Sequence, residues 1–98
     1  MPELFFSVRW PDQSVTECYS PSTVVKDYLC AGQSYPIQQF VALSRDALTL
    51  ASERVRARYG YACSSARDQL FAIEHRAQKF SNVDDACVVV EKFRQPSA

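Results

Sequence analysis

The stretch with the clearest capacity for chemistry is residues 54–67, where four arginines occur without an acid. A guanidinium binds a carboxylate or a phosphate through two parallel hydrogen bonds, and a neighbouring aromatic ring can stack on the ligand. These residue types predict a binding surface for a ligand or a partner. Its candidate residues are Arg54, Arg58, Tyr61, Cys63 and Arg67. The alternative is structural, because cations near a helix C-terminus stabilise the helix by ~0.3–1 kcal/mol.

Cys63 is the one candidate nucleophile in this stretch. A thiol near positive charge at the start of a helix has a lowered pKa and is more reactive, whereas a buried structural thiol is the alternative. His75 lies about ten residues along the next predicted helix, ~15 Å away at 1.5 Å per residue. It cannot act as the base for Cys63 within one chain if that helix is straight, whereas a pair formed across a dimer stays open. The sequence therefore predicts no catalytic residue and favours a protein without enzymatic activity.

The cysteine, histidine and glycine counts exclude several other kinds of site. No Cys-x-x-Cys pair occurs, one histidine cannot form a multi-histidine metal site, and two glycines cannot make a glycine-rich phosphate loop. We expect neither a metal nor a cofactor. Because the chain begins with an acid at Glu3 and no basic segment, we expect a cytoplasmic location and four reduced thiols. Cys18, Cys30 and Cys87 stand beside apolar residues and are expected to be buried.

Length and charge narrow the class of protein. The 98 residues fit one domain, residues 1–98. Eleven basic residues balance eleven acidic ones, which argues against nucleic-acid binding because such proteins carry a basic excess. No apolar run approaches the ~20 residues of a membrane-spanning helix, so we expect no contact with a membrane.

The apolar spacing predicts three strands. Residues 3–10 alternate, with Leu4, Phe6, Val8 and Trp10 on one face, and residues 14–19 return as a second strand. Pro11 at the second position of the intervening turn favours a hairpin. The valine-rich segment 86–93 predicts a last strand, central or beside the first.

Three helices are predicted between the hairpin and the last strand. The first begins at Ser20-Pro21 and ends at Gly32, the second spans 36–59, and the third spans 66–79. The predicted fold class is α+β, with a small antiparallel three-stranded sheet covered by three helices in the order ββαααβ. Because three strands leave two edges, a homodimer that pairs through the sheet is a further expectation.

Three segments carry a family resemblance: VRWPD at 8–12, ECYSPSTVV at 17–25 and ASERVRARYGYAC at 51–63. They resemble a family of small nitrogen starvation response proteins, in which the turn more often reads Trp-Pro-Asp-Gly where this chain has Gln13. The family's genes lie beside those of a nitrilase, a radical enzyme, an acetyltransferase and a flavoprotein. The resemblance implies an accessory or interaction protein in a nitrilase-linked pathway, with a partner protein from that pathway. The alternative function is a small enzyme or anion-binding protein that uses the Arg/Tyr/Cys surface of residues 54–67.

Overall fold

The computed structural model describes residues 3–61 and 64–95. In chain order the elements are β1 (Leu4–Arg9), β2 (Val15–Ser20), a short 3-10 helix (Thr23–Asp27), β3 (Gln33–Pro36), α1 (Ile37–Tyr59), α2 (Ser64–Gln78) and β4 (Cys87–Arg94). The strands form one antiparallel sheet in the order β2-β1-β4-β3. Within the described residues, neither α-helix is long and apolar enough to cross a membrane.

The core lies between one face of the sheet and the buried stripe of α1. Leu4, Phe6 and Val8 of β1 are fully buried, as the alternation predicted, and Val88 and Val90 of β4 lie on the same face. The stripe on α1 follows the helical repeat, and its buried apolar members are Phe40, Ala47, Leu48 and Ala51. The valine-rich last strand lies beside β1, between β1 and β3, as its apolar run indicated.

The predicted fold class is wrong in the number of strands and helices. The sheet has four strands and the described chain has two α-helices, where we expected three of each. The segment predicted as the first helix forms only the 3-10 helix of five residues. Ser20 ends β2, and Ser22 is the residue whose Oγ accepts a hydrogen bond from the Val24 N–H, at 3.3 Å. Hydrogen-bond geometry in a 3-10 helix is poorer than in an α-helix, so such segments stay short.

The strand that the prediction missed is β3. Gly32 adopts a left-handed φ of 84° and donates its N–H to the Val90 carbonyl at 2.6 Å. It therefore leads into a strand, where we expected it to end a helix. Only Tyr35 of the four strand residues is buried, so the segment lacks the apolar alternation that marks a strand. Pro36 is tolerated because β3 is an edge strand.

Burial of the cysteines was predicted correctly at one of the three described positions. Cys18 is buried on the inner face of β2, whereas Cys30 and Cys87 are exposed. Cys87 pairs with Pro36 across the sheet, and the buried side chains of Ala86 and Val88 flank it in the sequence. The side chain of Cys87 therefore points to the outer face, because successive strand residues alternate. Cys63 lies outside the described residues.

Candidate functional site

The C-terminal end of α1 presents two arginines and two tyrosines. Gly60 ends the helix with a left-handed φ of 85°, and its N–H donates to the Arg56 carbonyl at 2.8 Å. This turn brings Tyr61 beside Tyr59, with ring centroids 6.4 Å apart. The Arg58 guanidinium lies 5.8 Å from the Tyr59 ring centroid. Tyr59 is 51% exposed and Tyr61 is 68% exposed, so both rings offer open aromatic surface.

We call this surface the arginine–tyrosine tip, formed by Arg54, Arg58, Tyr59 and Tyr61. Arg54 and Arg58 are four residues apart in α1, so they lie one turn apart on one face of the helix. Arg56 lies about 160° around the helix from both of them at 100° per residue. The three alternating arginines therefore do not form one cluster.

Arg67 belongs to a different surface from the tip. It lies in α2 and, together with Arg56 and Glu53 of α1, lines an interhelical cleft of about 210 Å³. Of the five predicted site residues, three lie at the end of α1, namely Arg54, Arg58 and Tyr61. Cys63 lies outside the described residues.

Ion pairing differs between the arginines of residues 54–67 and three arginines elsewhere in the described chain. Arg9, Arg45 and Arg94 each form an ion pair with a glutamate, at 2.9, 2.6 and 2.8 Å respectively. The hydrogen bond from Arg94 lowers the pKa of its partner carboxyl on Glu17. In residues 3–61 and 64–95, by contrast, no ion pair forms at Arg54, Arg56, Arg58 or Arg67. Their charges therefore remain available to an external anion or acidic surface.

A second exposed surface was missed by sequence reasoning. Phe71 of α2 is 70% exposed and stacks on His75 with centroids 6.4 Å apart and planes 7° apart. Both line a groove of about 640 Å³ between the two helices, together with Val83, which is 49% exposed. We call it the Phe71 groove. The sequence contains a signal for this exposed aromatic ring, because Phe71 falls outside the apolar stripe of α2 that includes Leu70 and Ile73.

The family model of the nitrogen starvation-induced protein NitG matches residues 5–93. The chain belongs to the NitG family. The match confirms the resemblance to nitrogen starvation proteins. No curated protein and no solved structure matches the chain.

The family match covers every helix and strand of this NitG-family chain apart from the ends of β1 and β4. Both the arginine–tyrosine tip and the Phe71 groove therefore lie within it. Among the described residues, no group of three metal-ligating side chains comes together. What the tip offers is positive charge beside aromatic surface, and arginine and tyrosine are among the residue types enriched in binding hot spots.

Proposed function

We propose that this NitG-family chain is a non-enzymatic accessory protein of the nitrogen-starvation response, which binds a partner protein through the arginine–tyrosine tip. The observation that supports the proposal is the pair of arginines, Arg54 and Arg58, which form no ion pair among the described residues and lie beside two exposed tyrosines. The partner belongs to the nitrilase-linked pathway that the family resemblance implies. Binding takes place in the cytoplasm, where the exposed thiols of Cys30 and Cys87 stay reduced.

The partner presents an acidic surface. Two arginines at a spacing of four residues repel each other by ~0.2–0.5 kcal/mol, and a carboxylate bound to both removes that repulsion. Each guanidinium can also make a bidentate contact that a lysine cannot make. Tyr59 and Tyr61 add rigid apolar area next to the charges, and such area excludes water from the contact.

The interaction is tested by charge reversal at the tip. The double variant Arg54→Glu/Arg58→Glu and the wild type are used as baits in extracts of nitrogen-starved cells, and the captured proteins are quantified by mass spectrometry. The control is Lys26→Glu/Lys92→Glu, which makes the same change in net charge at two exposed lysines far from the end of α1 in the chain. Circular dichroism melting of all three proteins measures the fold separately from the binding.

We expect the wild type and the control to capture one stoichiometric partner that the tip variant loses while it remains folded. Rising salt should release the partner, because exposed charges are screened over ~8 Å at physiological ionic strength. If the tip variant melts lower and still binds the partner, the arginines only stabilise the end of the helix and the proposal is wrong. If the wild type yields a bound small anion and no protein, the anion-binding alternative replaces it.

A further inference from the structure

A second cavity lies between the β1–β2 hairpin and α2, away from the arginine–tyrosine tip. It is open to solvent on one side and has a volume of about 210 Å³. Its floor is formed by the most buried lining side chains, Trp10, Cys18 and Ile73, each at most 2% exposed. The half-buried side chains of Thr16 and Gln69 line its wall. Burial raises the pKa of the Cys18 thiol to about 12, with a smaller contribution from Glu17. The floor is therefore uncharged at neutral pH, and it accepts only the apolar part of a ligand.

The rim of this cavity is basic. Arg76 in the last turn of α2 and Lys79 just after the helix line it, and no acidic side chain does. The Arg76 guanidinium lies 6.0 Å from the Trp10 ring centroid and donates one hydrogen bond to the Ser14 Oγ. A guanidinium has five N–H donors, so further donors remain for a ligand. We call this cavity the hairpin pocket, defined by Trp10, Cys18, Ile73, Arg76 and Lys79.

Nearby acids neutralise this rim only in part. Asp12 in the hairpin turn interacts electrostatically with Arg76 and accepts hydrogen bonds from the N–H and the hydroxyl of Ser14. Glu17 forms its ion pair with Arg94 of β4. Lys79 is exposed and forms no ion pair within residues 3–61 and 64–95. One positive charge at the pocket is therefore left to be matched by a ligand.

We propose that the hairpin pocket binds a small organic monocarboxylate, with its apolar tail against Trp10 and its carboxylate held by Arg76 and Lys79. About seven water molecules, at ~30 Å³ each in the liquid, occupy the same volume as this pocket. A ligand of about seven non-hydrogen atoms therefore fits it. Inorganic phosphate suits the site less well, because it is polar on all sides and would have to place oxygens against the apolar side chains of Trp10, Cys18 and Ile73.

Pentanoate has seven non-hydrogen atoms and is the probe. Trp10 is the single tryptophan of the chain, so tryptophan fluorescence and the indole N–H signal in NMR both come from a residue of the pocket floor. We expect a saturable change in both signals with pentanoate. Pentanamide has the same shape without the charge, and we expect it to bind about ten-fold more weakly or worse, because hydrogen bonds to charged groups are the stronger ones.

Three variants and one control locate the binding. Lys79→Gln and Arg76→Gln should each weaken pentanoate binding about ten-fold. Lys79→Gln is the safer of the two, since Arg76 also packs on Trp10. Ala72→Phe places a ring in the pocket from an exposed helix position and should abolish binding with the charges unchanged. Lys92→Gln on the outer face of the sheet is the matched control and should bind as the wild type does.

Four results would overturn the proposal: no saturable response of Trp10, equal binding of pentanamide and pentanoate, undiminished binding in the Ala72→Phe variant, or displacement of pentanoate by inorganic phosphate at equal concentration. Each is read from the same Trp10 signals. The outcome is independent of the tip variants, since Arg54 and Arg58 do not line this pocket.

Discussion

The side-chain Oε1 of Gln69 accepts a hydrogen bond of 2.9 Å from the backbone N–H of Tyr19. Tyr19 belongs to β2, one of the two edge strands, and Gln69 belongs to α2. Two turns further along α2, Arg76 reaches Ser14 at the other end of β2. Helix α2 therefore runs antiparallel to β2 along its free edge. An edge strand is a template for pairing with another chain, and this helix covers it.

Replacement of Gln69 tests that role. In Gln69→Leu the Tyr19 N–H loses this acceptor, and we expect a loss of ~0.5–1.5 kcal/mol in the free energy of unfolding. Self-association should also rise in light scattering, because the helix loses a hydrogen bond that holds it on the edge of β2. Gln69→Glu retains an acceptor oxygen and serves as the control. If the wild type already forms a dimer that Gln69→Leu leaves unchanged, the dimer does not involve this edge.

Gln13 in the hairpin turn occupies a backbone conformation that favours glycine. Its φ is 72°, and its N–H donates to the Trp10 carbonyl at 2.8 Å. This backbone conformation destabilises the folded state by ~1–2 kcal/mol for a residue that has a Cβ. Glycine avoids that strain, but it lowers the free energy of unfolding by ~0.4–1 kcal/mol because it raises the conformational entropy of the unfolded chain. We expect Gln13→Gly to raise the free energy of unfolding by about 0.5–1 kcal/mol in urea titrations. Gln33→Gly in strand β3 is the control, and there we expect a loss of about the same size.

The hairpin, the last strand and the long helix could be predicted because their apolar residues repeat with the period of their own element. Leu4, Phe6 and Val8 alternate, and the buried positions of α1 follow the helical repeat. Strand β3 lacks such a signal, because it places a single apolar side chain, Tyr35, in the core. Its pairing with β4 comes from backbone hydrogen bonds between residues distant in sequence, and no local pattern encodes those.

The candidate site could be predicted in part for a similar reason. The spacing along one helix places Arg54 and Arg58 on one face and Arg56 on another, and the sequence alone predicts this arrangement. The position of Arg67 depends on how α2 packs against α1, which periodicity does not define. The sequence could not predict the hairpin pocket either, because Trp10 and Arg76, which meet there, are 66 positions apart in the chain.

Leu48 tests the packing of the long helix. Its side chain is 1% exposed and belongs to the main apolar core. Leu48→Ala removes buried methyl groups and leaves a cavity, so we expect a loss of ~2–5 kcal/mol in the free energy of unfolding. Thr49→Ala at the next, exposed position is the control and should change that free energy by less than about 0.5 kcal/mol. Equal melting temperatures for the two variants would contradict the assignment of the core face.

The buried thiol of Cys18 should make the free energy of unfolding depend on pH in the alkaline range. Burial raises the pKa of its thiol from an ordinary 9.0 to about 12. Below pH 9 both the folded and the unfolded chain hold the proton. Above pH 9 the unfolded thiol loses it and the folded one keeps it, so stability falls by ~1.4 kcal/mol per pH unit until the folded thiol also ionises. The stability gained from the neutral buried thiol is therefore complete below pH 9.

Urea unfolding at about pH 8 and about pH 10 measures this effect in the wild type and in Cys18→Ala. Other groups titrate in the same range, so the quantity of interest is the difference between the two proteins. Cys18→Ala should lose about 1.4 kcal/mol less than the wild type over that interval. Cys87→Ala removes an exposed thiol and is the control. In the same samples a thiol reagent should label Cys30 and Cys87 well before Cys18, because only the thiolate reacts. Rapid labelling of Cys18, or parallel pH profiles for Cys18→Ala and the wild type, would show that this thiol is open to solvent.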